Sequence, residues 1–317
     1  NRLPSGIPWT MPIVLQVDKS SVEDICVGNL VALTNGDGRI HATLDVTEIY
    51  SCDFDELAQS WFGTTSRKHP GVVRLAAGGN RFVAGEITLV APLASPHERY
   101  ELKPTQTRLI FSQKGWSKVV GFHTRNVPHR VHEFIQLRAL ENEHADGLYI
   151  SPVIGPKKSG DFLADPILQS YQLLLETSIY PTGKVVLGAF STYSRYCGPR
   201  EAVFTAICRK NAGCSHFIVG RDHTGVGDFY DSNDCKALFD WLGDIGIEPV
   251  FFDAIGYDTK GERYVDLSAC ETAEPISGTQ IRKALIEGDV LPNWMMRSEV
   301  QDVVRAEQMM NYPLFQE

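Results

Sequence analysis

Val119-Val120-Gly121-Phe122-His123-Thr124-Arg125-Asn126-Val127-Pro128-His129-Arg130-Val131-His132-Glu133 decides how the chain is read. Its first four residues are an apolar run of strand length, and residues 129–144 carry a helical pattern, so a strand runs through a short loop into a helix. The same texture repeats downstream: 147–153, 184–190, 216–219 and 249–252 read as strands, and 166–178, 199–212 and 234–245 as helices. Strands separated by helices of roughly ten or more residues imply βαβ units and a parallel sheet covered on both faces. This half of the chain is expected to be a Rossmann-like α/β domain.

Upstream the pattern differs. Short β-rich runs at 13–17, 30–33, 41–46 and 82–89 are punctuated by Asn35-Gly36-Asp37-Gly38 and Gly78-Gly79-Asn80, as in a small, mostly β domain. The runs 30–34 and 40–47 on either side of the Asn-Gly-Asp-Gly turn predict a hairpin. The expected organisation is a β domain over 1–105, the α/β domain over 106–270, and a polar segment over 271–317 that completes it with helices at 277–287 and 297–308.

The composition sets outer bounds. A chain of 317 residues has room for about two domains, and 43% hydrophobic with 22% charged residues excludes fibrous and disordered classes. No run approaches the ~18–20 apolar residues of a membrane-spanning helix, and no apolar stretch follows Asn1-Arg2-Leu3-Pro4 as in a signal peptide, so no membrane association is expected. A net charge of −9 argues against a general binder of nucleic-acid backbones, and any anionic ligand must be met by a local cluster. The seven cysteines are odd in number and lack a CxxC pair, which suggests neither a zinc ribbon nor a disulfide framework. A reducing, cytoplasmic compartment is expected, with no protein-bound metal.

Three clusters carry chemistry. In the opening stretch the loop holds Arg125 and Asn126, and His129 and His132 share one helix face at a helix start, where free N–H groups and the dipole favour anions. Ligands of open α/β sheets bind beyond the carboxyl ends of the strands, so these groups suit a phosphate chain. A metal half-site or two surface histidines remain open on spacing alone. The second cluster, Gly220-Arg221-Asp222-His223-Thr224-Gly225, again follows a strand and lets backbone N–H groups approach an oxyanion, although a charged βα turn has the same pattern. The third, Ile276-Ser277-Gly278-Thr279-Gln280-Ile281-Arg282, sits at a helix start that Ser277 or Thr279 would cap. Trp61, Trp116 and Trp241 read as packing residues, and Lys157-Lys158-Ser159-Gly160-Asp161 as a loop near the phosphates or a solvated turn.

Taken in order, His123–Glu133, Gly198-Pro199-Arg200-Glu201-Ala202, Arg209–His223 and Ile276–Arg282 resemble the ATP sulfurylase (sulfate adenylyltransferase) family. Residues 2–13, His69-Pro70-Gly71-Val72 and Gly115-Trp116 resemble that family's PUA-like amino-terminal domain and its junction. The resemblance implies a nucleotidyltransferase joining ATP and sulfate into adenosine 5′-phosphosulfate and pyrophosphate, by direct attack of the oxyanion on the α-phosphate. It implies that His129 and His132 hold the phosphate chain, Asn126 the α-phosphate region and Arg221 a phosphate. It places ATP contacts at Thr124, Gly220, Asp222, His223, Gly225, Ile255 and Arg282, and sulfate contacts at His123, Arg125 and Thr224. Magnesium would accompany the phosphates, and a homo-oligomer is implied.

Departures from the family pattern concentrate around the oxyanion. His123 stands where glutamine is usual, Thr224 where alanine is, Thr205 where histidine is common, and Val127-Pro128 reverses the usual order. Another oxyanion as substrate, or a catalytically silent nucleotide-binding domain, are the alternatives to sulfate adenylyl transfer. An imidazole at 123, with an ordinary pKa near ~6.5, would be expected to gain a proton as a dianion binds. The resemblance also implies further chain ahead of Arg2, and no GxxxxGK[ST] phosphate loop of a fused kinase is present.

Overall fold

The computed structural model describes every residue except Lys19, Arg221, Asp222, Thr224, Asn311, Tyr312 and Glu317, and the side chain of Ser21. The chain divides into two compact units, Asn1–Glu98 with Arg195–Glu201 and Thr224–Asp231, and Arg99–Ser194 with Ala202–His223 and Ser232–Glu317.

In the first unit the elements are β1 (Leu15–Val17), β2 (Leu30–Thr34), β3 (Ile40–Ser51), α1 (Phe54–Phe62), α2 (Pro70–Ala77) and β4 (Arg81–Leu89). The strands form an antiparallel sheet in the order β1-β4-β3-β2. The expected hairpin is β2–β3, with Leu30 opposite Asp45 and Val31 opposite Leu44. The two helices are additions to the mostly β expectation. Asp53 caps α1 by accepting from the Glu56 N–H, and Gly63, at φ 71°, closes it in the left-handed region that glycine tolerates. His69 caps α2 through Nδ1, which accepts from the Gly71 N–H, leaving Nε2 to donate to the Tyr196 carbonyl at 3.0 Å. The His-Pro-Gly-Val motif is therefore a buried helix start in this unit, with Pro70 at the first helical position.

The second unit contains α3 (Pro104–Gln113), β5 (Val119–Thr124), α4 (Arg130–Asn142), β6 (Gly147–Pro152), α5 (Ala164–Glu176), β7 (Val185–Leu187), α6 (Pro199–Asn211, from Ala202 onward), β8 (His216–Gly220), α7 (Asp234–Leu242) and β9 (Glu248–Phe252). A small antiparallel sheet, β10 (Ile255–Asp258), β11 (Arg263–Asp266) and β12 (Glu274–Pro275), precedes α8 (Gly278–Glu287) and α9 (Ser298–Met309). The five-stranded sheet is parallel throughout, ordered β7-β6-β5-β8-β9. That order runs outward in both directions from β5 and β8, so the topological switch point lies between their carboxyl ends.

Every residue of β5 and β6 is buried, which explains their apolar runs without alternation. Val120, Phe122, Leu148 and Ile150 pack with Ile135 and Ala139 of α4, Ile167 and Tyr171 of α5, Ile281 of α8 and Val300 of α9 in one core. Gly121 has a packing reason: a Cβ there would come within 2.9 Å of the Arg209 side chain, so its absence lets that arginine lie against the sheet. Trp116 packs beside Gly147 and stacks on Phe111, whereas Trp241, expected to pack, is 66% exposed on α7. Among the described residues no helix is long and apolar enough to cross a membrane.

Candidate active site

The carboxyl end of β5 delivers the site. His123 and Thr124 are its last residues, and the loop that follows turns sharply because the Thr124 hydroxyl accepts from the Asn126 N–H at 3.1 Å. α4 starts at Arg130, so His129 is its N-cap, in extended conformation, and not a residue of the helix as expected. The shared placement of the two histidines nevertheless holds: the rings of His129 and His132 stack with centroids 3.6 Å apart. Burial, reinforced by Arg282, pushes His129 down to about 3, and burial beside His129 pushes His132 well below the ordinary imidazole value. Both rings are neutral at working pH, and their Nδ1 atoms are buried with no hydrogen-bond partner among the described residues.

The third cluster joins this one. Ser277 is the N-cap of α8, accepting from the Gln280 N–H, and Arg282 on the next turn donates to Asn126 Oδ1 at 2.7 Å and to Thr279 Oγ1 at 3.1 Å. Two helix N-termini, those of α4 and α8, thus meet at Asn126, and Gly278 approaches its amide so closely that a Cβ would lie 3.3 Å from Nδ2. Glu133 holds the α4 start in place. Buried in the first turn, it accepts from Arg130 at 3.0 Å and from Arg297 Nε and Nη2 at 2.9 Å.

A second group surrounds His123. Arg209, on the buried face of α6, donates through Nη2 both to His123 Nδ1 and to the Ser151 carbonyl, each at 2.8 Å. A guanidinium has no acceptor, so Nδ1 carries no proton and the imidazole is neutral with its proton on Nε2. Burial first, then the charges of Arg209 and Arg125, drive its pKa well down. Arg209 and burial thus hold His123 neutral in the protein itself, which opposes the proton gain expected on oxyanion binding. His223 lies 5.5 Å from the His123 ring, contacts Thr205 Oγ1 through Nε2 at 3.2 Å, and is pushed down to about 3 by burial, Arg209 and Arg125. Arg125 Nε stands 4.0 Å from the buried carboxylate of Asp161, which also meets Lys158 at 3.1 Å.

The ATP-sulfurylase family model matches residues 98–307, and the PUA-like domain model matches residues 1–92. The sulfate adenylyltransferases of Pyrococcus abyssi and Thermococcus onnurineus are 42% and 41% identical over 309 residues, covering 96% of this chain and 80% of theirs. The chain belongs to the ATP-sulfurylase family. A solved structure described as a hexameric APS kinase from Thiobacillus denitrificans matches with a TM-score of 0.72 at 19% identity, a likeness of fold that covers 96% of this chain and 55% of that one.

For this ATP-sulfurylase family member, the sequence led to the expectation of an α/β fold with a parallel sheet, following a PUA-like region in the chain, and that is what is found. His123, Thr124, Arg125, Asn126, His129, His132, His223 and Arg282 all fall in the second unit, and Gly220 ends β8 across the switch point from β5. Gly225 belongs by its contacts to the first unit. Ile255 opens β10 and packs against the main core. Arg221, Asp222 and Thr224 lie outside the described residues. Sequence reasoning passed over Arg209 and Glu133 as functional positions. The signal for Arg209 was an arginine in register with Ala202, Thr205 and Ala206 on the buried face of a helix.

Proposed function

We propose that the chain is a sulfate adenylyltransferase: sulfate attacks the α-phosphorus of ATP, giving adenosine 5′-phosphosulfate and pyrophosphate. The observation that carries this reading is the meeting of two groups at one switch point: the anion-seeking helix starts around Asn126, His129, His132 and Arg282, and the guanidinium and imidazole groups around Arg125, His123 and Arg209. A sulfate oxygen forms the new bond to the α-phosphorus, the bond to the α,β-bridging oxygen breaks, and pyrophosphate leaves with that electron pair. Six negative charges enter and six leave, so no proton has to be transferred and no enzyme nucleophile is needed. What remains for the protein is to hold two anions in line and to stabilise the charge that moves to the leaving group.

In this reading His129 and His132 offer neutral N–H donors to the phosphate chain, and Arg282, oriented by Asn126, serves the α-phosphate region. Arg125 and His123 hold the attacking oxyanion, and Thr124, Gly220, His223 and Ile255 complete the two subsites. Among the described residues no three His, Cys, Asp or Glu side chains converge as a metal site. Magnesium fits as a companion of the substrate phosphates, where it would neutralise charge on the departing pyrophosphate. A homo-oligomer and a reducing cytoplasmic setting, compatible with seven free thiols, belong to the same reading. Pyrophosphate release from ATP, measured with sulfate and with a panel of other tetrahedral oxyanions, tests it. Release that depends on sulfate supports it, and release with another oxyanion only, or with none, contradicts it.

A further inference from the structure

Lys157 lies on the loop between β6 and α5, one residue before the lysine that pairs with Asp161. Its stem is half-buried, and its Nζ has lost contact with solvent without gaining a hydrogen-bond partner among the described residues. An ammonium so placed carries a desolvation cost that the described neighbouring groups do not repay with a hydrogen bond. Among the described residues, the charged and titratable groups around it are Asp161 and Lys158 on its own loop and Arg125 and His123 at the end of β5. Asp161 is the lone carboxylate of that set, and it is shared with Lys158 and Arg125. Within this described set the cationic side chains Lys157, Lys158 and Arg125 outnumber the one carboxylate. The set belongs to the group around His123, apart from the pair Asn126–Arg282 that marks the helix starts.

We propose that Lys157 is a further ligand of the attacking oxyanion, a tetrahedral dianion that supplies the acceptor its Nζ lacks. The proposal rests on the reading of the site given above. A dianion beside Arg125 shifts the balance at Lys157: burial and Arg125, opposed by Asp161, bring the group down to about 7, and a bound dianion would favour the ammonium. Above pH ~7 the oxyanion therefore binds with uptake of a proton, and its apparent affinity falls as the pH rises. In this proposal the proton is taken up by Lys157, and the Arg209 contact opposes protonation of His123 at Nδ1.

The test compares the parent with Lys157→Met and Lys157→Arg, following ATP-dependent pyrophosphate release with sulfate between pH 6 and 9. Calorimetry of sulfate binding in the presence of α,β-methylene ATP, which cannot release pyrophosphate, is run in two buffers of different ionisation enthalpy to count protons. The expected result is a sulfate KM raised by roughly tenfold or more in Lys157→Met at pH 6.5, an ATP KM changed far less, a flattened pH profile and loss of proton uptake. Lys157→Arg should keep most of the affinity but without the pH dependence, since arginine does not titrate. Thermal midpoints report folding, and Lys157→Met should melt at or above the parent because it removes an uncompensated charge. Unchanged sulfate KM and proton uptake in Lys157→Met overturn the proposal and leave the reading of the site standing, as does a fall in midpoint with equal loss of both substrates, which marks a structural lysine. A parent that releases pyrophosphate with no oxyanion overturns the reading itself and the proposal with it.

Discussion

Arg209 donates to His123 Nδ1 across 2.8 Å, with both side chains buried. The contact fixes the tautomer of a residue at the end of the central strand and makes it a donor through Nε2 alone. A neutral, fixed N–H is also what a glutamine amide would supply, so in the reading proposed above His123 serves the oxyanion in the way an amide would.

His123→Gln should therefore keep the sulfate KM close to that of the parent and leave its pH profile unchanged, whereas His123→Phe should raise that KM by roughly five- to tenfold, the worth of one neutral hydrogen bond. Nitrogen NMR of labelled imidazole gives the direct reading, with Nδ1 unprotonated and Nε2 protonated from pH 6 to 8. A protonated Nδ1 in that range would refute the assignment.

Arg282 and Asn126 are 156 positions apart and bonded at 2.7 Å. If the pair orients a common ligand, Arg282→Ala and Asn126→Ala should each lower kcat/KM for ATP by about tenfold or more, and the double variant should lose little beyond the larger single effect. Additive losses measured in that cycle would mean the two act independently.

Glu133 anchors the helix start through Arg130 and Arg297. Glu133→Ala leaves two partly buried guanidinium groups without their carboxylate, at a cost of about 3–5 kcal/mol in stability. Calorimetric melting should show a midpoint several degrees lower, and a variant that melts with the parent would show the clamp to be dispensable.

The buried histidines set an acid limit. His129 and His223 are held at about 3 in the folded chain by burial and neighbouring arginines, against ~6.5 unfolded. The unfolded state binds more protons between these values, so the stability they contribute is complete above pH ~6.5 and is lost as the pH falls toward 3. Thermal midpoints should drop steadily below pH 6.5, and His129→Asn should lessen the slope. A midpoint that stays level down to pH 4 would contradict the burial of neutral imidazoles.

The parallel sheet was legible because β5 and β6 are buried on every residue, and an apolar run bounded by helices has few other readings. The start of α8 was legible because the Ser277 cap is a local feature, whereas α4 begins one residue later than its pattern suggested, with His129 as its N-cap. α1 and α2 were not legible, since each is a short segment stabilised by its caps and, in α2, by contacts such as His69 with Tyr196, more than a hundred residues away. The neutral tautomer of His123 was not legible for the same reason: its decisive neighbour, Arg209, comes from α6, and only packing brings the two together. Lys157 could be noticed as a charge in a loop, but the burial of its Nζ depends on how that loop settles over Arg125 and Asp161.

The measurement closest to the central claim is product analysis by mass spectrometry with ATP, magnesium and sulfate carrying the heavy oxygen isotope in all positions. Direct attack predicts adenosine 5′-phosphosulfate that retains every labelled oxygen, formed in equal amount with unlabelled pyrophosphate. Pyrophosphate without that nucleotide, or label appearing in the pyrophosphate, would contradict it.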